Sequence, residues 1–142
     1  MLLTKECDYG ARIIRRLASG TRKTVASICD MEKIPVPYAY KIIKKLEHAG
    51  LLQSMRGHSG GYMLIKPLDM ITLYDIAVAV DEKFLIFECL SADKHCPFKQ
   101  GGNPCAVHFE FRRIQEILIK EMQAKTMREI LLPHDRASTC NR

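Results

Sequence analysis

Apolar residues recur every three or four positions through the first third of the chain, and that rhythm breaks after residue 50. In TKECDYGARIIRRLAS, Tyr9, Ile13, Ile14 and Leu17 fall on one helical face, Thr4 is a suitable N-cap, and Gly20 marks the stop. A shorter helix is predicted over residues 25–31, capped by Thr24, with Val25, Ile28 and Cys29 turned to a core. Pro35 and Pro37 end one element and allow another, because proline fits a first helical turn whose N–H has no partner anyway. The third helix is expected over residues 36–49, with Ile42, Ile43 and Leu46 inward and Gly50 as its stop.

Beyond residue 50, LLQSM and YMLIK read as short strands around the turn RGHSGG, a hairpin pattern. Thr72, with Asp75 three positions on, opens another helix, TLYDIAVAVDE, followed by the apolar FLIFE. Val107, Phe111, Ile114 and Leu118 then follow a 4-3-4 spacing, flanked by Phe109, Ile117 and Met122. A helix of about 18 residues there would run about 27 Å, long for a chain this small to bury and well suited to a dimer seam. Packing against its own domain is the plainer alternative. A capping box at Thr126 and Glu129 starts a last short helix reaching Leu132, stopped by Pro133, and HDRASTCNR is expected to be a mobile tail.

The predicted fold is therefore mainly α with a small β-hairpin wing (α+β), a winged helix-turn-helix domain with a long C-terminal dimerisation helix. The expected divisions are residues 1–82 for the winged domain, 83–106 for a cysteine-rich loop, 107–132 for the dimerisation and terminal helices, and 133–142 for the tail.

Charge adds direction to this outline. Residues 1–66 hold 12 Lys and Arg against 5 Asp and Glu, whereas residues 67–142 hold 10 against 11. The basic half coincides with the helix-turn-helix, as expected of a surface that displaces counterions from DNA phosphates. On the third helix Tyr38, Tyr40, Lys41, Lys44 and Lys45 lie largely off the apolar face, and the wing carries Arg56, His58 and Ser59. These are the candidate DNA contacts, the helix in the major groove and the wing on phosphates or the adjacent minor groove. Taken singly, Lys44 and Lys45 read as a plain solvated face, and Tyr38 or Tyr40 could as readily complete a core edge.

Six cysteines in 142 residues, without an apolar leader, point to metal or thiol chemistry and to a cytoplasmic protein that does not enter a membrane. Cys29 fits a core position and Cys140 an exposed thiol. Cys89, Cys96, Cys105 and His108 instead share a loop rich in glycine and proline, with the spacing Cys-x6-Cys-x8-Cys-x2-His. Thiolates and imidazole hold iron–sulfur clusters and zinc, and the lack of paired Cys-x2-Cys knuckles favours a cluster. No nucleophile elbow, phosphate-binding loop or hydrolase motif suggests an enzyme.

Taken together, LTKECDYGARIIRRLA, VASICDMEKIPVPYAYKIIKKLEHAGLL, SMRGHSGGYMLIKP, ITLYDIAVAVDE and the three-cysteine loop resemble the Rrf-two family of bacterial winged-helix regulators, over about residues 1–132. The resemblance implies a homodimer on double-stranded promoter DNA, joined through the long helix. It implies an iron–sulfur cluster, 2Fe-2S or 4Fe-4S, held by residues matching Cys89, Cys96 and Cys105. The fourth ligand differs among members: a histidine matching His108 in some, and in others an acidic residue matching Asp8 from the partner subunit; Cys7 is a further candidate. The loop gaps, and Tyr40 and Lys41 in the third helix, depart from well-known members, so neither cluster type nor operator carries over. The implied function is transcription control by a cluster sensing redox, iron or nitric oxide status. The alternatives are a cluster-free repressor controlled by a thiol switch or a partner protein, and a small iron–sulfur carrier.

Overall fold

The computed structural model describes residues 4–57, 60–81, 83–92, 96, 98 and 105–131. Helix α1, Lys5–Leu17, sends Cys7, Gly10, Ile13, Ile14 and Leu17 into the core. Thr4 sits at its N-cap, but its side chain accepts from no backbone N–H of the helix, and its hydroxyl instead donates to Cys7 Sγ at 3.5 Å. Helix α2, Val25–Glu32, is capped as expected, the Thr24 side chain accepting from Ser27 N–H. It closes at Lys33 in the left-handed conformation (φ 54°), which turns the chain so that Ile34 is buried before the next helix.

Helix α3, Val36–His48, begins at the two prolines and buries Ala39, Ile42, Ile43 and Leu46. Strands β1, Leu52–Met55, and β2, Gly61–Leu64, pair antiparallel, with Leu52 opposite Leu64 and Met55 opposite Gly61. Lys23 and Tyr62 exchange backbone hydrogen bonds of 3.0 and 2.8 Å, tying the wing to the segment before α2. A Cβ at Gly61 would stand 2.6 Å from the Lys23 carbonyl oxygen, so this close pairing needs glycine.

Helix α4, Leu73–Val80, carries a complete capping box between Thr72 and Asp75. It stops before Asp81, sooner than the pattern TLYDIAVAVDE suggests, and the Val80 carbonyl accepts from Lys45 Nζ of α3. A 3-10 turn at Glu88–Leu90 holds Cys89. Helix α5, Ala106–Gln123, and helix α6, Met127–Leu131, complete the described chain, and Thr126 and Glu129 form the expected box before α6. Leu132, Pro133 and the C-terminal tail lie outside the described residues. Among the described residues, no helix is long and apolar enough to cross a membrane.

One core joins α1, α2, α3 and α4, with Met127 of α6 closing it. The expected apolar line of α5 divides. Phe111, Leu118, Ile119 and Met122 are partly buried, and Leu118, Ile119 and Met122 pack on this core, while Val107, Phe109, Ile114 and Ile117 are exposed. Phe87 stacks on Phe111 with ring centroids 3.5 Å apart.

Helices α1 and α4 meet where α1 has no side chain: a Cβ at Gly10 would lie 2.9 Å from Ile76 Cγ2 and 3.3 Å from Val80 Cγ1, both on β-branched side chains with little freedom to move. Gly10→Val should therefore lower the unfolding free energy by about 1–3 kcal/mol through overpacking, measured by urea denaturation. Unchanged stability would show that the crossing has room to spare.

Candidate nucleic-acid interface and cysteine site

Proline at the head of α3 leaves its first turn exposed, and Val36, Tyr38 and Tyr40 stand out from the fold there. Tyr38 also leans edge-on against Tyr9 of α1, centroids 6.0 Å apart. Further along, Lys41, Lys44, Lys45, Glu47, His48 and Ala79 of α4 line an open hollow of about 550 Å³. Lys44 is exposed and has no ion pair among the described residues, whereas its two neighbours are engaged. Lys41 Nζ donates to Glu6 Oε1 at 2.6 Å and Lys45 Nζ to Glu6 Oε2 at 2.7 Å.

The wing is anchored to the same helix. Ser54 N–H donates to Glu47 Oε1 at 2.8 Å, so β1 is fixed to the last turn of α3, and Arg56 follows β1 as an exposed side chain. His58 and Ser59, the other wing candidates, lie outside the described residues.

The candidate ligands occupy three elements. Cys89 sits in the 3-10 turn, Cys96 in the loop, Cys105 at the N-cap of α5 and His108 in that helix's first turn; the three thiols are free and partly exposed. Among the described residues, no three His, Cys, Asp or Glu side chains gather into a group able to hold a metal ion. His108 Nδ1 is nonetheless buried without a hydrogen-bond partner among the described residues. Asp8, by contrast, is paired: Arg12 of the next turn donates to both its oxygens, at 3.0 and 2.7 Å, and Asp8 holds the guanidinium pKa above its ordinary value. Cys7 is buried in the core, and so is Cys29, whose thiol pKa burial raises.

Three residues that pattern reading passes over organise these surfaces. Glu6 gathers the α3 lysines. Glu32, buried at the end of α2, pairs with Arg15, while its carbonyl accepts from Arg12 Nη1 at 3.3 Å. Gln115 is buried on the inner face of α5, where its Oε1 accepts from Ile86 N–H at 2.8 Å and its Nε2 donates to the Phe84 carbonyl at 3.1 Å. The signal for Gln115 is a lone amide amid Phe111, Leu118 and Met122; Glu6 and Glu32 give no comparable local sign.

A short helix, a tight turn, a second helix with an exposed basic face and a hairpin fixed to its end define a winged helix-turn-helix protein. Most of the chain matches known folds of this kind. CymR of B. subtilis, described as its global cysteine regulator, superposes with a TM-score of 0.72 at 22% identity, covering 91% of this chain and 95% of that one. IscR of T. potens does so with a TM-score of 0.71 at 20% identity, covering 91% and 85%. In sequence, the transcriptional regulator IscR of Yersinia pestis is 30% identical over 111 residues, which are 78% of this chain and 65% of that protein. Residues 3–132 match the Rrf2 family, described as iron-dependent transcriptional regulators, and the chain belongs to that family. It is a DNA-binding transcriptional regulator rather than an enzyme, and the carrier reading of the cysteine loop is set aside.

The two lysines hold the Glu6 carboxyl below the usual carboxylate range, through the Lys41 and then the Lys45 hydrogen bond. Stability from this group is complete above the unfolded value of about 4.3 and is lost as pH falls through the lower folded value. Glu6→Gln cannot ionise, so the stability gap between wild type and variant should narrow between about pH 5 and pH 3 in urea unfolding. A gap constant over that interval would mean that the ion pairs contribute no stability.

Proposed function

We propose that the chain acts as a homodimer on near-palindromic promoter DNA, with an iron–sulfur cluster at Cys89, Cys96, Cys105 and His108 setting its affinity. The observation that carries the cluster reading is the His108 Nδ1, one turn inside α5 from Cys105 and buried without a partner among the described residues. Leaving such a nitrogen without a partner costs about 1–3 kcal/mol, a penalty that coordination would remove. Three soft thiolates with one imidazole suit iron and sulfide chemically. His108 is the better fourth ligand, since Asp8 would first have to leave its two-point pair with Arg12.

On the DNA side, Tyr38, Tyr40, Lys41, Lys44 and Lys45 of α3 would meet the major groove, and Arg56, with His58 and Ser59, the backbone beside it. The exposed Val107, Ile114 and Ile117 recur along one side of α5 and support a helix seam with a second copy. Such a dimer would present two α3 helices to half-sites about 34 Å apart. A bound cluster supplies a centre that responds to oxidants, iron supply or nitric oxide. The chain's part is mechanical: Gln115 fastens residues 84–86, just before Cys89, to α5, so a shift of the loop is carried into the helix that would set half-site spacing.

A thiol switch or partner-controlled repressor without a cluster is the second reading. It is favoured by the free, partly exposed state of Cys89, Cys96 and Cys105 and by the lack, among the described residues, of a group that gathers them with a fourth donor.

Anaerobic purification with a visible spectrum and iron and sulfide analysis separates the two. The expected result is brown protein with stoichiometric iron and sulfide, lost in Cys105→Ala, weakened in His108→Ala and retained in Asp8→Ala. Colourless protein after reconstitution would turn the assignment to the thiol switch, and a cluster lost in Asp8→Ala but kept in His108→Ala would move the fourth ligand to α1.

A further inference from the structure

Lys41 and Lys45 stand one turn apart on α3 and close on opposite oxygens of the same carboxylate, Glu6. Two ammonium groups around one anion is also how a pair of lysines receives a DNA phosphate. The three partners are not equally committed. Lys45 donates in addition to the Val80 carbonyl at 2.5 Å, and its side chain is 36% exposed. The Lys41 side chain is 59% exposed and has Glu6 as its one ion-pair partner among the described residues, while Glu6 itself is 20% exposed. Lys44, on the same hollow, has no ion pair among the described residues, and its charge reaches Glu47 only at longer range.

We propose that Glu6 is an internal stand-in for a DNA phosphate: it holds Lys41 in the free protein and yields it when DNA supplies a phosphate, while Lys45 stays fixed between Glu6 and Val80. Glu6 is thereby a positioning residue that subtracts charge from the recognition helix, although it belongs to α1. This rests on α3 being the DNA-facing helix. The competing account is a static brace between α1 and α3, in which Glu6 aids DNA binding or does not touch it.

The two accounts differ in salt dependence. A lysine that replaces condensed counterions on DNA contributes about 0.9 to the slope of log affinity against log salt. One that must abandon a carboxylate contributes less, because Glu6, left with Lys45 alone, regains part of its attraction for solution cations. The measurement uses the full chain and a labelled mixed-sequence duplex of about 30 base pairs, on which binding is mainly electrostatic, titrated by fluorescence anisotropy over a salt series. Glu6→Gln is expected to bind about two- to fivefold tighter at low salt, the range of an exposed ion pair, with a slope steeper by up to about 0.9. Adding Lys41→Ala to it should erase both gains. Unchanged or weaker binding by a folded Glu6→Gln protein would overturn the proposal and favour the brace.

Two single variants guard against a misfolded Glu6→Gln chain. Lys44→Ala is expected to flatten the slope by about 0.9, and Lys41→Ala in the native background to cost clearly less. Equal losses from the two overturn the proposal while leaving α3 on the DNA. Slopes of Lys44→Ala and Lys41→Ala both identical to that of the native protein remove the α3 lysines from the DNA and the proposal with them.

Discussion

Two helices can cross closely only where one of them has no side chain in the way, and in this chain that place is Gly10. The room it leaves brings Ile76 and Val80 of α4 against α1, and Ile42 of α3 reaches the same point, its Cγ2 3.9 Å from where a Cβ would stand. The spacing of three helices is set there rather than at the surface. Glu6, one turn before Gly10, reaches Lys41 and Lys45, and Lys45 reaches the last carbonyl of α4, because the backbones have been brought within the length of a lysine. The polar ties read as consequences of the apolar crossing, and they give the basic helix its fixed angle to the rest of the domain.

Much of this fold is legible in the sequence because its signals are local. Thr24, Pro35, Pro37 and the Thr72–Asp75 pair each act on the turn in which they stand, so the starts of α2, α3 and α4 can be read from a few residues. The end of α4 is less accessible. Asp81 continues a helix-compatible pattern, yet the Val80 carbonyl is taken by a lysine 35 residues away. The long helix shows a second limit: periodicity marks a broad apolar surface on α5 but does not say which residues turn inward, and Phe111 and Leu118 part from Val107 and Ile114 only once α4 and Phe87 are in place.

The site divides along the same line. Cys29 and the loop cysteines are told apart by their neighbours, one inside a helical apolar repeat and the others among glycine and proline. The α3 lysines look alike in sequence, and only the tertiary approach of Glu6 separates Lys41 and Lys45 from the exposed Lys44, which has no ion pair among the described residues. Asp8 and Arg12 stand four apart, a spacing at which a pair can be expected. The unsatisfied nitrogen of His108 has no counterpart in any pattern, since it depends on what surrounds the ring.

Gln115 grips the segment before Cys89 by its peptide groups alone, an N–H at Ile86 and a carbonyl at Phe84. Every non-proline residue offers those same two groups. The fastening is therefore indifferent to which side chains stand at positions 84 and 86, and it places no demand on how many residues follow. A loop attached in this manner can be rewritten or lengthened without being detached from its helix, so the chemistry it carries is free to diversify on an unchanged frame.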